Sequence, residues 1–152
     1  KRTLPAAFQG ILDRHNVLRQ RHCAAPLTWS NELAAVAQDW ADTLAANSCA
    51  FEHRPRNRFG ENLTFFAPVG SQSPAGVAQG WYNEVQMYDF NRGDFSFQTG
   101  HFTQVVWART TELGCGVSQC NGGVIWVCNY NPPGNMMGDF QRNVLHPNQC
   151  KR

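Results

Sequence analysis

The 152-residue sequence predicts an α+β fold, a three-layer α-β-α sandwich around a small, mostly antiparallel sheet. Three observations predict it. Apolar residues recur at helical spacing in separate segments, before and between the β-rich ones. Two β-rich segments flank Asn121-Gly122, a strong hairpin turn signal. The second of these strands is apolar on both faces, so it must be covered from both sides.

Phe8, Ile11, Leu12, His15 and Leu18 give the first helix, over residues 5–21. Ser30 caps a second helix, and Glu32 in its first turn complements the positive end of the dipole. Leu33, Val36, Ala37, Trp40 and Leu44 form its buried stripe, and Asn47 stops it. Gly60 to Ala67 has the aromatic and β-branched content of a strand. Ser73-Pro74 opens a third helix, whose apolar side runs through Val77, Trp81, Val85 and Tyr88. After a loop around Asn91-Arg92-Gly93-Asp94, GHFTQVVWA reads as a helix of about two turns. Strands follow at Gly114–Cys120 and Gly123–Asn131. In the latter, Val124, Trp126, Cys128 and Tyr130 share one face and Ile125 and Val127 the other. The tail over residues 132–152 is turn-rich and is expected on the surface, tethered by Cys150.

Length and composition fit a single domain over residues 1–152. A net charge of +2, with no dense basic stripe, gives no footprint for nucleic acid. No apolar stretch is long enough to span a bilayer. The first residues, KRTLPAAF, lack the apolar core of a signal peptide, so the chain reads as a mature product. Six cysteines without CxxC spacing point to three disulfides in a secreted, extracellular protein.

Four titratable residues are embedded in otherwise apolar sequence: His53, Glu61, Glu84 and His101. Glu84 stands three residues after Trp81 and four before Tyr88, beside the apolar stripe of its helix. A buried carboxylate is costly unless paired, which makes a histidine a natural partner. The same four residues would serve equally as hydrogen-bonded groups locking loops to the core, and spacing alone leaves both readings open.

GENLTFF, GWYNEVQMYDF, GHFTQVVW and CNYNPPGN, in that order, resemble the motifs of the CAP superfamily. That group comprises cysteine-rich secretory proteins, antigen five and pathogenesis-related proteins. The chain resembles its short, single-domain members of fungal or plant type, across nearly its whole length. The resemblance implies the CAP fold and a cleft formed by His53, Glu61, Glu84 and His101. It also implies that His53 and His101 bind a divalent cation such as zinc, a cofactor that neutral imidazoles suit. Arg54 departs from the family's usual serine, and a cation beside His53 is expected to weaken metal binding. The family pattern pairs Cys49 with Cys120 and Cys115 with Cys128, leaving Cys23 for Cys150.

The resemblance further implies binding of a small apolar ligand, a sterol or fatty acid. The aromatics from Tyr88 to Phe95 are spaced like a caveolin-binding motif, which resembles the sterol-binding loop of fungal members. Tyr88, Phe90, Phe95 and Phe97 then form an aromatic cluster on a loop that Gly93 makes deformable. These rings could also simply close the core beneath the loop. A secreted defence, effector or signalling role with a protein partner is a second reading. Metal-dependent hydrolysis is a third, weakened by the lack of an HExxH helix and of any assignable nucleophile. Asn62-Leu63-Thr64 is a glycosylation sequon, but its place inside GENLTFF predicts burial and no glycan.

Overall fold

The computed structural model describes residues 4–150; residues 1–3 and 151–152 of the expected domain lie outside the described residues. The elements are α1 (Ala6–Gln20), β1 (Thr28–Trp29), α2 (Asn31–Ala46), β2 (Gly60–Phe66), α3 (Pro74–Tyr82), α4 (Gly100–Val105), β3 (Glu112–Cys120), β4 (Gly123–Asn131) and α5 (Phe140–Asn143). Single 3₁₀ turns follow α3 (Asn83–Met87) and α5 (Pro147–Cys150).

The two serine caps act as their sequence positions imply. Ser30 accepts the Leu33 N–H at 3.1 Å, and Ser73 accepts the Gly76 N–H at 3.0 Å, with Pro74 opening α3. The third helix is shorter than its apolar stripe suggests. It tightens into the 3₁₀ turn at Asn83, and Tyr88 is extended, with φ −87° and ψ 132°.

Sheet order is β1-β3-β4-β2. β2, β4 and β3 are antiparallel neighbours, while β1 runs parallel to β3 through Thr28 and Trp29. The sheet is therefore mixed, and β1 is a strand that no periodicity revealed. Asn121 and Gly122 both take positive φ, 51° and 77°, which suits the two-residue turn joining β3 to β4.

β4 divides the molecule into two cores. Trp126, Cys128 and Tyr130 face Ile11, Leu18, Val77, Trp81 and Phe102 from α1, α3 and α4. Ile125 and Val127 face Ala37, Ala41 and Leu44 of α2, joined by Leu63. This is the expected three-layer arrangement. On the α2 side, a Cβ at Gly114 would strike the Leu33–Ala34 backbone, and one at Gly116 would strike Gln38. Two glycines thus let α2 lie directly on β3.

The disulfides are Cys23–Cys150, Cys49–Cys120 and Cys115–Cys128, the pairing the resemblance implied. The tail, however, is not merely a surface strap. Phe140 and Val144 are buried, Phe140 meeting Trp107 edge-on with ring centroids 5.0 Å apart. Asn143 then accepts the Ala108 and Arg109 N–H groups, at 2.9 Å each. Turn-rich sequence around one aromatic gave no periodicity from which this burial could be read.

Candidate functional site

The segment that carries His101 is fixed from below by Arg19. This fully buried arginine donates to the carbonyls of Val105, Trp107 and Thr110, at 2.9 to 3.0 Å, and to Ala25 at 2.9 Å. It ties off the C-terminal end of α4 and the turn beyond it. Burial pulls its guanidinium down to about 10.

At the other end of α4, Glu84 is the organising group. Its Oε1 accepts the backbone N–H of His101 at 3.0 Å and of Phe102 at 3.1 Å. Its Oε2 lies 2.7 Å from His101 Nδ1. The His101 ring also stacks on Trp81, with centroids 6.0 Å apart and planes 19° apart. A second carboxylate repeats the pattern. Glu61, only 4% exposed at its side chain, takes His53 Nδ1 at 2.7 Å, the Arg54 N–H at 3.0 Å and Asn57 Nδ2 at 3.2 Å. The hydrogen bond that His53 donates to the Glu61 carboxylate raises the histidine's pKa above its ordinary value, against the opposing effect of burial.

A buried chain of hydrogen bonds supports His101 from within. Asn62 Nδ2 donates to the His101 carbonyl at 3.3 Å and to Tyr130 Oη at 3.2 Å. Tyr130 Oη is 2.7 Å from His15 Nε2, and His15 Nδ1 is 2.9 Å from the Ile11 carbonyl. A carbonyl can only accept, so Nδ1 of His15 carries the hydrogen and Nε2 accepts from Tyr130. Burial holds His15 neutral, down to about 4, and pushes the Tyr130 phenol well up. Asn62 itself is 2% exposed, which closes the sequon to an oligosaccharide.

The sequence therefore named four residues that the fold joins as two Glu–His pairs. His53, Glu61 and His101 line one cleft of about 410 Å³, with Phe51, Phe95 and Phe97 on its walls. Glu84 and His101 line a smaller hollow beside it, against Trp81. Asn57, Asn62 and Trp81 complete the support and are not among the site residues that the sequence names. Asn57 is a loop asparagine with no distinguishing signal, Asn62 in β2 stands out only as part of a sequon, and Trp81 reads as a helix-stripe residue.

Arg54 does not aim its charge at the cleft as the sequence suggested. Its guanidinium turns to α2, donating to the Val36 carbonyl at 3.2 Å and to Asp39 at 3.1 Å. Only its backbone N–H serves the site. The aromatic loop is also not one cluster. Tyr88 and Phe90 pack edge-on at 4.9 Å and lie against Phe102, on the core side. Phe95 and Phe97 pair separately at 5.3 Å and face outward, Phe97 at 93% exposure. Core burial has claimed the first two rings and left the last two to solvent. Tyr88, Phe95 and Phe97 nonetheless border a cavity of about 390 Å³ under the loop. The same Phe95 and Phe97 wall off the His/Glu cleft, so the two hollows share a boundary.

Each carboxylate accepts from Nδ1, which leaves Nε2 of each histidine as the ring nitrogen able to bind a metal. Among the described residues, however, no group of three His, Cys, Asp or Glu is placed to hold a metal ion. Two imidazoles lining one cleft do not make a closed structural zinc centre.

The profile of the cysteine-rich secretory protein family (CAP) matches residues 12–130. The chain is 37% identical over 139 residues to PRY2 of Saccharomyces cerevisiae, covering 89% of this chain and 40% of that protein. It is 42% identical over 133 residues to pathogenesis-related protein 1C of Nicotiana tabacum, covering 86% of this chain and 77% of that one. Among solved structures, that of NaASP2 with Zn²⁺ superposes with a TM-score of 0.71 at 27% identity, covering 95% of this chain and 87% of that one. The chain thus spans well under half of the yeast relative and most of the tobacco one.

Proposed function

The chain belongs to the cysteine-rich secretory protein (CAP) family, and on that premise we propose that it is a secreted protein that binds sterols or similar small lipids under the loop from Tyr88 to Thr99. The observation that carries this reading is the Phe95–Phe97 pair. A phenylalanine exposed to 93% serves no core, yet it borders the loop cavity. A flat apolar ligand seated there would bury both rings, each contributing roughly 25 cal/mol per Å² of apolar surface removed from water. Three disulfides support an extracellular setting. Similarity to pathogenesis-related proteins supports a role in defence, stated at that level only.

The test is a titration with radiolabelled sterol, comparing wild type with Phe95→Ala and Phe97→Ala. Phe97 is the better probe than Phe90, because Phe90 also packs on Phe102 and its loss would disturb the core. Saturable binding weakened at least severalfold by Phe97→Ala supports the reading. Absent binding, or binding indifferent to both substitutions, rejects it.

The cleft supports a second, separable proposal. His53 and His101 would hold a divalent cation through Nε2, with Glu61 and Glu84 fixing the rings from Nδ1. The ion would supply Lewis acidity at the cleft floor. A relative solved with Zn²⁺ adds to this reading. Isothermal titration with zinc, with His101→Ala as control, tests it, and equal heats from the two proteins would end it.

A further inference from the structure

We propose that the C-terminal segment from Phe140 to His146 is a clasp that holds the loop from Tyr88 to Thr99 closed, with Gln141 as its latch. The clasp sets how often the loop opens. Its geometry is that of an arm anchored on the body. Phe140 and Val144 are buried, and Asn143 accepts the Ala108 and Arg109 N–H groups, which fixes α5 on that side. Gln141, one residue after Phe140, is exposed and reaches the other way, to the loop. Its Nε2 donates to two successive loop carbonyls, Asn91 at 3.1 Å and Arg92 at 3.4 Å. Its Cγ lies over Gly93, where an added Cβ would come within 2.3 Å of it, and Gly93 takes a φ of 61°. Glycine there permits both the turn and the latch.

Two ring contacts flank the latch. Phe140 meets Phe95 with centroids 6.3 Å apart, and His146 meets Phe90 edge-on at 5.0 Å. His22 backs the arm from below. Its Nδ1 donates to the Leu145 carbonyl at 2.8 Å, and its ring lies within 9° of parallel to Phe90. Among the described residues, the other hydrogen bonds of residues 91–98 close within the loop, on Asp89, Asp94, Ser96 and Thr99. A segment bonded mainly to itself opens as a unit once its outside partner lets go. Phe90 stays behind, packed on Phe102, while the part that moves carries Phe95 and Phe97. Those two rings wall both the loop cavity and the His/Glu cleft, so opening widens both hollows. The latch lies at the surface, where a hydrogen bond between neutral groups contributes little net stability, which suits a contact that breaks and re-forms. The inference rests on the lipid-binding reading only for what an open loop admits.

The test is amide hydrogen exchange on the ligand-free, disulfide-intact chain, wild type against Gln141→Ala and Gln141→Glu. The reporter is the Gly93 N–H, which donates to the Asp89 carbonyl at 3.0 Å. It should exchange about fivefold faster in Gln141→Ala. Gln141→Glu keeps the stem over Gly93 but sets a carboxylate against two carbonyls, and should exchange at least as fast. The Ala108 amide should keep its wild-type rate in both variants, because Phe140 and Asn143 still dock α5. Equal Gly93 rates in all three proteins would overturn the clasp. So would a loss of protection at Ala108 as large as that at Gly93, since Gln141 would then be holding the tail and not the loop. In parallel, radiolabelled cholesterol should associate faster with Gln141→Ala by the same factor, as expected when the open form is populated more often. An unchanged association rate beside faster exchange would refute control of access. If neither protein binds cholesterol, the lipid-binding reading fails, while the clasp stands or falls on the exchange rates, which need no ligand.

Discussion

Glu84 and His101 are joined by two bonds at once, from the carboxylate to the ring at 2.7 Å and to the backbone N–H at 3.0 Å. One side chain therefore positions the histidine and serves the start of its helix. Removing it strands two N–H groups in a part-buried setting. Glu84→Ala should cost about 2 kcal/mol by urea denaturation, and Glu84→Gln, which keeps one acceptor oxygen, about half that. Equal stability of all three proteins would show that the 3₁₀ turn and α4 hold together without this carboxylate.

His53 gives the pH dependence a definite sign. Glu61 raises its pKa in the folded state, so the pair's contribution is complete below the unfolded value near 6.5 and is lost as pH rises through the folded value. An NMR titration should place His53 above 6.5, and Glu61→Gln should return it toward 6.5.

His15 acts in the opposite direction. Its folded pKa is lowered to about 4, so from pH 6.5 down to 4 the unfolded chain takes up a proton that the folded chain refuses. Stability should fall across that window by an amount on the order of 3 kcal/mol, complete by pH 4. Denaturant midpoints for wild type and His15→Gln should diverge above pH 6 and converge toward pH 4. Parallel curves would mean that His15 is not buried neutral.

Arg19 serves four carbonyls that have no obvious replacement donor. Arg19→Met should therefore cost about 3 kcal/mol or more despite keeping the apolar stem, read as a fall in denaturation midpoint. A change under about 1 kcal/mol would show that water satisfies those carbonyls.

The Cys23–Cys150 bond closes a loop with a sequence separation of 127. The chain-entropy model gives it up to about 5 kcal/mol. The tail is also held by Phe140 and Val144, so Cys150→Ser should lower stability yet leave near-native hydrogen exchange protection at the Ala108 and Arg109 amides. Exchange as fast as in an unfolded peptide would show that the disulfide alone docks the tail.

Much of this architecture was readable because its signals are local. Ser30, Ser73-Pro74 and Asn121-Gly122 each act through neighbours within three residues, and the two-faced pattern of β4 spans a full strand. What escaped depends on distant partners. β1 has two residues and no period to detect, and Phe140 stands alone in a turn-rich segment. Arg19 reads as a solvent-facing helix residue unless its spacing of four from His15, and of four again from Ile11, is taken as one face. The four cleft residues stand out as titratable groups in apolar sequence and the motif resemblance gathers them into one cleft, while the hydrogen bonds joining them as two pairs needed the fold. The loop aromatics were identified as a set, but which two face solvent was decided by packing against Phe102.

The most direct test of the lipid-binding account is native mass spectrometry of the intact chain after exposure to a lipid extract. The account predicts a one-to-one complex whose added mass is that of a neutral sterol, and its loss in Phe97→Ala. A wild-type spectrum showing only the bare protein, or adducts retained unchanged in Phe97→Ala, would contradict it.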